Sequence, residues 1–351
     1  MTPYERYMAV FHREKPDYVP FAIYETKVVG RPYEKELTAL DILMIRRKVA
    51  YRVYSDESYI EEKSSFTRPN GDVERHFAVH TPKGDLTYAN VTNAVTSWTT
   101  EYPFKDEDDY EKLSSIYRSI KYETKYENLE DGIQENAKKG NVLMRVHLPA
   151  EPMQEMFSSV FGAEQFCYEW MDNRDKMLEL MDILHEKYKQ IYALTAPVPV
   201  ELINQGGNVT PEIIGREGFR KYFMPEYEEA AKLMHPAGKF LGCHLDACNG
   251  PIMDLIAETP LDYIEAYDPG MSPPVREASR IFKDKVLSLH FPSAWQMHSE
   301  EEVVEDTLRL IGEAADPSRL IIGITEDMPY DRYVPVIRGI MRGIEKFGKL
   351  N

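Results

Sequence analysis

The sequence predicts an α/β fold, a (β/α)8 barrel of the TIM type, with an antiparallel β meander inserted after the second strand. Three observations predict it. The chain has 351 residues, of which 43% are hydrophobic, enough for a substantial core. Eight short apolar runs recur along it, most of them separated by patterns with helical spacing. Each run ends on a polar residue, and a barrel collects such residues at its C-terminal mouth. A doubly wound open sheet is the alternative.

The N-terminal residues predict a helix followed by the first strand. Thr2 is a good N-cap, and Glu5, three residues later, completes a capping box. We expect this helix to run to about Arg13. An apolar run over residues 19–24 then forms the first strand, which ends at Glu25.

The remaining runs predict seven more strands and the helices between them. The strands are expected at 58–62, 142–148, 200–205, 239–246, 261–267, 286–291 and 320–325. Helical spacing of apolar residues is found at 173–192, 217–234, 251–258, 274–282 and 300–315.

One stretch, residues 63–105, breaks this alternation. It contains turn sequences at 69–72 and 82–85, with residues typical of short strands between them. These features predict the inserted meander. Residues 105–140 are acidic and helical in character, and no Pro, Gly or Ser-rich linker divides the chain. We therefore expect one domain over residues 1–351.

Charge and cysteine content narrow the class of protein. The formal net charge of −17 argues against nucleic acid or an anionic membrane as the main partner, because both require a basic face. No stretch resembles a signal peptide, and no apolar run is long enough to span a bilayer. Three cysteines are too few for a disulfide scaffold. We expect a cytoplasmic protein; its oligomeric state stays open.

Polar residues stand at the ends of the predicted strands and are the candidates for chemistry. Many polar groups at one mouth are hard to explain by packing, although each taken singly has a structural explanation. His147 and His290, for example, could simply close a strand. The strand-end residues are Glu25, Glu61 or Glu62, His147, Gln205, His244 with Asp246, Glu265, His290 and Glu326.

The most informative strand end contains His244 and Asp246. Residues two apart on a strand share one face, so these side chains form a candidate pair of metal or substrate ligands. A buried histidine bonded to backbone is the alternative. Together with Glu326 at the last strand end, they would supply one imidazole and two carboxylates, a set suited to zinc or another divalent metal.

Two further groups are candidate substrate contacts. Gln205 and Asn208 flank a pair of glycines that would let the backbone approach a ligand, or that simply turn the chain into the next helix. Met153, Met156 and Trp295 could line an apolar pocket, although such residues are also ordinary core. Glu25 and Glu265 at their strand ends complete the expected substrate-binding set.

Several segments resemble the uroporphyrinogen decarboxylase superfamily. They are Lys15–Pro20 after the opening helix, Phe223–Tyr227 followed by Gly238, the strand ending in His244, and the last strand running into Met328 and Pro329. The resemblance implies a (β/α)8 barrel with its site at the strand C-termini. Members are either cofactor-free decarboxylases or cobalamin-dependent methyltransferases that use zinc.

Departures from the family patterns favour the methyltransferase branch. The decarboxylases carry an Arg-Gln-Ala-Gly-Arg segment after the first strand, whereas residues 25–31 offer one Lys and one Arg. The methyltransferases bind zinc through His-x-Cys and a second Cys near the last strand. The matching positions here are His244, Asp246 and Glu326, so the histidine is kept and both thiolates are replaced by carboxylates.

Three functional hypotheses follow from these observations. The first is a corrinoid-linked methyltransferase, acting on a small methyl donor or acceptor, with cobalamin supplied by a partner corrinoid protein. Its substrate would be a thiol, a methylamine or a methoxylated aromatic compound, the last by O-demethylation. The second is a cofactor-free lyase of a small carboxylic acid, with His147, His244 or His290 as proton donor and with Lys27 and Arg31 as substrate anchors. The third is a non-catalytic, small-molecule-binding barrel.

Overall fold

Eight parallel strands close into a barrel in the computed structural model, which describes residues 1–94 and 96–350. The predicted (β/α)8 fold is therefore confirmed. The barrel strands are β1 (Phe21–Tyr24), β2 (Leu43–Lys48), β9 (Val142–His147), β10 (Leu202–Gln205), β11 (Phe240–His244), β12 (Tyr263–Tyr267), β13 (Val286–His290) and β14 (Leu320–Ile324). Around the barrel their order is β1, β14, β13, β12, β11, β10, β9, β2.

Helices follow most of these strands. Short 3-10 segments and two π-helical segments, Met156–Phe161 and Phe219–Phe223, extend or interrupt some of them. The α-helices are α1 (Pro3–Phe11), α2 (Glu34–Leu37), α3 (Asp109–Ser119), α4 (Glu127–Lys139), α5 (Pro152–Glu155), α6 (Gly162–Asp172), α7 (Arg174–Thr195), α8 (Pro211–Gly218), α9 (Met224–Met234), α10 (Met253–Glu258), α11 (Val275–Ile281), α12 (Glu300–Glu313) and α13 (Tyr333–Phe347).

Helix α1 closes the N-terminal end of the barrel. Its predicted capping box is confirmed: the Thr2 hydroxyl accepts from the Glu5 N–H, and the Glu5 carboxylate accepts from the Thr2 N–H at 2.8 Å. Its apolar face, including Phe11, packs into one core cluster with the first interior residues of the strands, such as Leu43 and Leu202. The helix ends at Phe11, two residues before the predicted end, and leaves the opposite mouth of the barrel for a site.

The predicted second barrel strand is wrong. Residues 58–62 were expected in the barrel, but the second barrel strand is β2, and residues 59–67 belong to an antiparallel sheet. Glu61 and Glu62 therefore do not stand at the end of a barrel strand. The apolar run of β2 is short, because three basic residues from Arg46 to Lys48 follow Leu43–Ile45 directly.

The inserted meander is confirmed as an antiparallel sheet of four strands in sequence order. It begins at Tyr59, four residues before the predicted start, and ends at Glu101. Its strands are β4 (Tyr59–Thr67), β5 (Val73–Thr81), β6 (Gly84–Thr92) and β7 (Ser97–Glu101). A separate pair of strands, β3 (Tyr51–Tyr54) and β8 (Lys121–Thr124), had no clear sequence signal.

The chain forms two compact units. The barrel unit contains residues 1–50, 125–149 and the chain from Thr195 onward, and the second unit contains residues 51–124 and 150–194. The expected single domain over the whole chain stays a prediction. Within the described residues, no helix combines the length and the apolar character required to cross a membrane.

A candidate metal centre at the C-terminal ends of the barrel strands

The interior of the barrel changes from apolar to polar along the strands. Side chains alternate along a strand, so residues two positions beyond a core residue also point inward. Leu143 and Leu202 belong to the core cluster at the N-terminal end. Two residues further on, Arg145 and Asn204 are completely buried polar side chains. The C-terminal half of the barrel therefore presents hydrogen-bonding and charged groups to its own interior.

The structure brings together the three predicted metal ligands. His244 is the last residue of β11, Asp246 lies two residues further, and Glu326 follows the end of β14. His244 Nε2 lies 3.6 Å from an Asp246 carboxylate oxygen and 3.7 Å from a Glu326 carboxylate oxygen. One ligand atom from each residue lies within 4.8 Å of the others. The strand ends thus converge as the barrel topology predicted.

A carboxylate on the neighbouring strand contacts the other ring nitrogen of His244, Nδ1. Glu265 on β12 is in register with His244, and its carboxylate lies 3.2 Å from His244 Nδ1. The Tyr24 hydroxyl donates to the other Glu265 oxygen at 2.8 Å. A carboxylate that accepts from one imidazole nitrogen fixes the tautomer and leaves the second nitrogen for a metal. His244 Nε2 is therefore directed at Asp246 and Glu326.

Glu265 also forms a fully buried ion pair with Arg145. Burial alone raises the pKa of Glu265, but the Arg145 charge and the hydrogen bond with His244 lower it well below its usual range. The Glu265 carboxyl group that contacts His244 Nδ1 is therefore ionised. Because an isolated buried charge is costly, each of these two residues depends on the other.

Without a metal, His244 is a cation at neutral pH. Burial lowers its pKa, but the carboxylates of Asp246 and Glu265 more than offset this effect and raise the pKa to about 9. Burial likewise raises the pKa of Asp246, but His244 lowers it below the usual value. The Nε2 proton thus occupies the position that a metal ion would take.

The geometry of the three ligands fits a divalent cation. In tetrahedral zinc sites, N and O ligands about 2.0–2.2 Å from the metal lie about 3.3–3.6 Å apart. The observed separations from His244 Nε2, 3.6 and 3.7 Å, are close to that range. Glu326 is 46% exposed, so one side of the group is open to solvent. Three protein ligands with an open fourth position are typical of catalytic metal sites.

His147 and His290 lie at their strand ends but are neutral. Burial, and then the Arg145 charge, lowers the pKa of His147 well below its usual value, and its Nε2 accepts from Arg145 Nε at 3.3 Å. Burial, and then the charges of His244 and Lys27, lowers the pKa of His290 to about 3. His290 Nδ1 accepts from the Thr325 N–H at 3.1 Å, so its proton is on Nε2. A neutral imidazole with such a pKa is a poor proton donor.

The predicted glycine loop supports the strand that carries His244. The Asn208 N–H donates to the His244 carbonyl at 3.0 Å, and Gly207 lies directly against the His244 side chain. Gln205 is buried, and its amide donates to the Pro149 carbonyl at 3.3 Å. The contacts of Gly207 and Asn208 hold the end of β11 in place. A role for Gln205 or Asn208 in substrate binding stays a prediction.

Four other predicted substrate contacts have different surroundings. Glu25 forms an ion pair with Arg46. Trp295 packs edge-on against Phe291, with the Arg309 guanidinium 4.3 Å above its ring. Met153 and Met156 belong to the second unit, where both are buried. An apolar substrate pocket built from these side chains stays a prediction.

Sequence reasoning missed three residues of the site. Tyr24 and Arg145 contact Glu265, and the Arg47 guanidinium lies 3.9 Å above the Tyr24 ring. A signal for Arg145 was present, because it is a charged residue at an inward position of a strand that is otherwise apolar. Its partner Glu265 lies 120 positions away in the sequence, so the pair could not be recognised from spacing.

Comparisons with known proteins support the fold. No protein-family model matches the chain, and neither does any curated protein sequence. A methyltransferase from Methanosarcina mazei is similar in structure, with a TM-score of 0.59 and 12% identity over 99% of each chain. A B12-independent methionine synthase from a Shewanella species has a TM-score of 0.41 and 13% identity over 72% of this chain and 70% of that one. At 12% identity the similarity to the Methanosarcina methyltransferase shows a shared fold alone, and the site must be argued from its own residues.

Proposed function

We propose that this protein is a metal-dependent, corrinoid-linked methyltransferase of the uroporphyrinogen decarboxylase superfamily, acting on a small methylated substrate. The observation that carries the proposal is the orientation of His244. Its Nε2 faces two carboxylates at the open mouth while Glu265 holds its Nδ1. The solved methyltransferase that shares the fold along its whole length agrees with this choice but supports the barrel alone.

Each residue of the group has a distinct task in this proposal. His244, Asp246 and Glu326 would hold the cation, with Glu265 and Tyr24 orienting the imidazole. A bound divalent cation supplies Lewis-acid activation of the heteroatom that carries or receives the methyl group. Cobalamin on a partner corrinoid protein would be the methyl carrier. The open side at Glu326 gives a substrate access to the site.

The carboxylates alter the expected metal preference. The zinc-using methyltransferases that the sequence resembles have thiolates where this chain has Asp246 and Glu326. Carboxylates are harder ligands, so the preference for zinc over other divalent first-row metals is reduced. We therefore expect the site to accept cobalt or manganese as well as zinc.

A second candidate is the cofactor-free lyase. The observation that favours it is the position of His244 Nε2 at the mouth, where a protonated imidazole could donate to a carbanion-like centre. His147 and His290 are unsuited to this role because burial keeps them neutral. Lys27 is less suited to anchor a substrate than predicted, since it forms an ion pair with Asp327 at 2.6 Å.

Methyl transfer to cob(I)alamin tests the proposal. The metal-loaded protein is incubated with cob(I)alamin and, in turn, a methyl thioether, a methylamine and a methoxylated aromatic compound. We expect methylcobalamin to form, as monitored by absorbance, with at least one of them. His244→Ala and Glu326→Ala should each reduce the rate at least about a hundredfold, because a metal ligand is lost.

The matched control is His235→Ala, which removes an exposed histidine paired with Asp262. It should retain the wild-type rate. Carbon dioxide release from a small acid without corrinoid, abolished by His244→Ala, would replace the proposal with the lyase. Ligand binding without any turnover, unchanged in both alanine variants, would favour the non-catalytic barrel.

A further inference from the structure

Asn204 is a buried amide with no hydrogen-bond partner in the described part of the chain. It lies on β10, completely buried, and neither Oδ1 nor Nδ2 is satisfied. Leu202, two residues earlier, belongs to the barrel core, so Asn204 also points into the barrel. Buried polar groups in native proteins are almost always paired with protein, water or ligand. The Asn204 amide is therefore available to something bound inside the barrel.

Arg145, on the neighbouring strand β9, has a similar unpaired group. Its guanidinium faces Glu265 and donates from Nε to His147. Its Nη2 is buried and has no partner among the residues that the structure describes. Arg145 is in register with Leu202, and His147 with Asn204, so Arg145 and Asn204 lie one inward position apart on adjacent strands of one barrel wall.

Arg47 is a cation on the next strand of the same wall. It is in register with Arg145 and two residues beyond the core residue Ile45, so it points inward at the mouth. It is exposed, and within residues 1–94 and 96–350 no carboxylate or other hydrogen-bond acceptor contacts its guanidinium. Its guanidinium instead covers the ring of Tyr24. The preceding Arg46, by contrast, is paired with both Glu25 and Glu135.

We infer that the wall formed by Arg47, Arg145 and Asn204 binds the carboxylate of a small acid whose methylated heteroatom lies at the metal group. This inference rests on the proposed function, which places the methylated heteroatom of the substrate at the metal group. The three residues lie on consecutive strands β2, β9 and β10, and β10 is adjacent to β11, which carries His244.

Charge complementarity fixes the orientation of such a substrate. Asp246 and Glu326 neutralise the charge of a divalent cation bound between them, whereas Arg47 offers a guanidinium without a carboxylate partner, which binds carboxylates in two-pronged fashion. The Nδ2 group of Asn204 adds a neutral donor. Tyr24 contacts both the carboxylate-binding wall and the metal group, because its ring lies under Arg47 and its hydroxyl lies 3.2 Å from His244 Nδ1. The substrate class is therefore a short carboxylic acid with a methylthio, methoxy or methylamino group.

Calorimetric titration with (methylthio)acetate and with its uncharged amide tests this inference. The full-length wild-type protein is titrated with and without added zinc. We expect the acid to bind at least about tenfold more tightly than the amide, equivalent to about 1.4 kcal/mol. Arg47→Gln should reduce that preference to less than about threefold. Lys48→Gln is the matched control, because Lys48 lies next to Arg47 on the opposite face of β2, and it should keep the preference.

Asn204→Leu, which roughly conserves the side-chain volume, provides an independent test. If the amide serves a ligand, the variant should bind (methylthio)acetate more weakly while its melting temperature stays equal or rises, since an unpaired buried amide is removed. A lower melting temperature with unchanged acid binding would assign Asn204 to internal structure and overturn its role. Equal binding of acid and amide to the wild type, or binding of neither, would overturn the carboxylate site as a whole. Zinc content measured on the same samples tests metal binding independently of the carboxylate site.

Discussion

Glu265 contacts three functional groups at once. It accepts from Tyr24, faces Nδ1 of His244 and forms a buried ion pair with Arg145. Its carboxylate therefore both orients the imidazole of the candidate metal group and neutralises a guanidinium in the barrel interior. The orientation of His244 and the stability of the barrel depend on the same residue.

Replacing Glu265 should reduce both stability and metal affinity. Glu265→Gln leaves Arg145 as an uncompensated buried charge, which costs about 3–5 kcal/mol. Loss of the carboxylate behind His244 should weaken metal binding about 10–100-fold. Urea unfolding and equilibrium dialysis measure the two effects. Glu258→Gln, an exposed residue at the end of α10, should change the free energy of unfolding by less than about 0.5 kcal/mol. Equal effects of both substitutions would contradict the role of Glu265.

Metal binding should release a proton from His244. The pKa of about 9 means that the metal-free protein carries the imidazolium at pH 7. A metal requires the Nε2 lone pair, so we expect about one proton released per metal at pH 7, about half near pH 9 and almost none at higher pH. Apparent affinity should accordingly rise with pH and level off above the pKa.

Calorimetry in buffers with different ionisation enthalpies counts this proton. His235→Ala should release the same number as the wild type. Absence of proton release at pH 7 would mean that His244 is neutral before binding or is not a ligand.

At the scale of elements, the strand that carries His244 was predictable and β2 was not. β11 has an apolar run, inward polar residues at two-residue spacing and a following turn, all of which are local signals. In β2 three basic residues follow a three-residue apolar run. Arg47 stays exposed at the mouth, while Arg46 finds its partners in Glu25 and Glu135, one of them 89 positions away. Pairings created by barrel closure cannot be derived from the spacing of residues within one strand.

The loop after β10 shows how an element fixes the position of a catalytic candidate. Gly207 has φ +139°, and a Cβ at this position would lie 2.7 Å from the Cβ of His244. Gly207→Ala should therefore lower the free energy of unfolding by about 1–3 kcal/mol and displace His244, with weaker metal binding. Chemical denaturation and dialysis measure the change.

Gly312→Ala is the control for this substitution. Gly312 lies in α12, and a Cβ there would have no heavy atom within 4 Å. Its replacement should be neutral or stabilise the protein by up to about 1 kcal/mol. A Gly207→Ala variant with normal stability and normal metal affinity would show that the loop does not position His244.

At the scale of the whole molecule, the sequence predicted the closed barrel, the inserted meander and the convergence of His244, Asp246 and Glu326. All three depend on patterns that repeat along the chain: apolar runs, turn sequences and polar residues at strand ends. The roles of Glu265 and Arg145 beside His244 result from contacts between strands that are distant in the sequence. Only the structure shows these contacts. The Glu265–Arg145 pair and the unpaired Asn204 amide are the clearest examples.

The carboxylates beside His244 carry charge that a bound cation would neutralise. Asp268, also buried near this mouth, has its pKa raised by burial and by the charges of Asp246 and Glu326. Several carboxylates close together are costly unless a cation compensates them. A metal at His244 would lower this repulsion, and its presence is the central claim.

Metal content is the most direct test. The protein is purified without chelators or a histidine tag and analysed by inductively coupled plasma mass spectrometry, beside His244→Ala and His235→Ala. We predict about one equivalent of a transition metal per chain in the wild type and in His235→Ala, and almost none in His244→Ala. No metal in the wild type after dialysis against zinc, cobalt or manganese, or equal metal in all three proteins, would contradict the proposed centre.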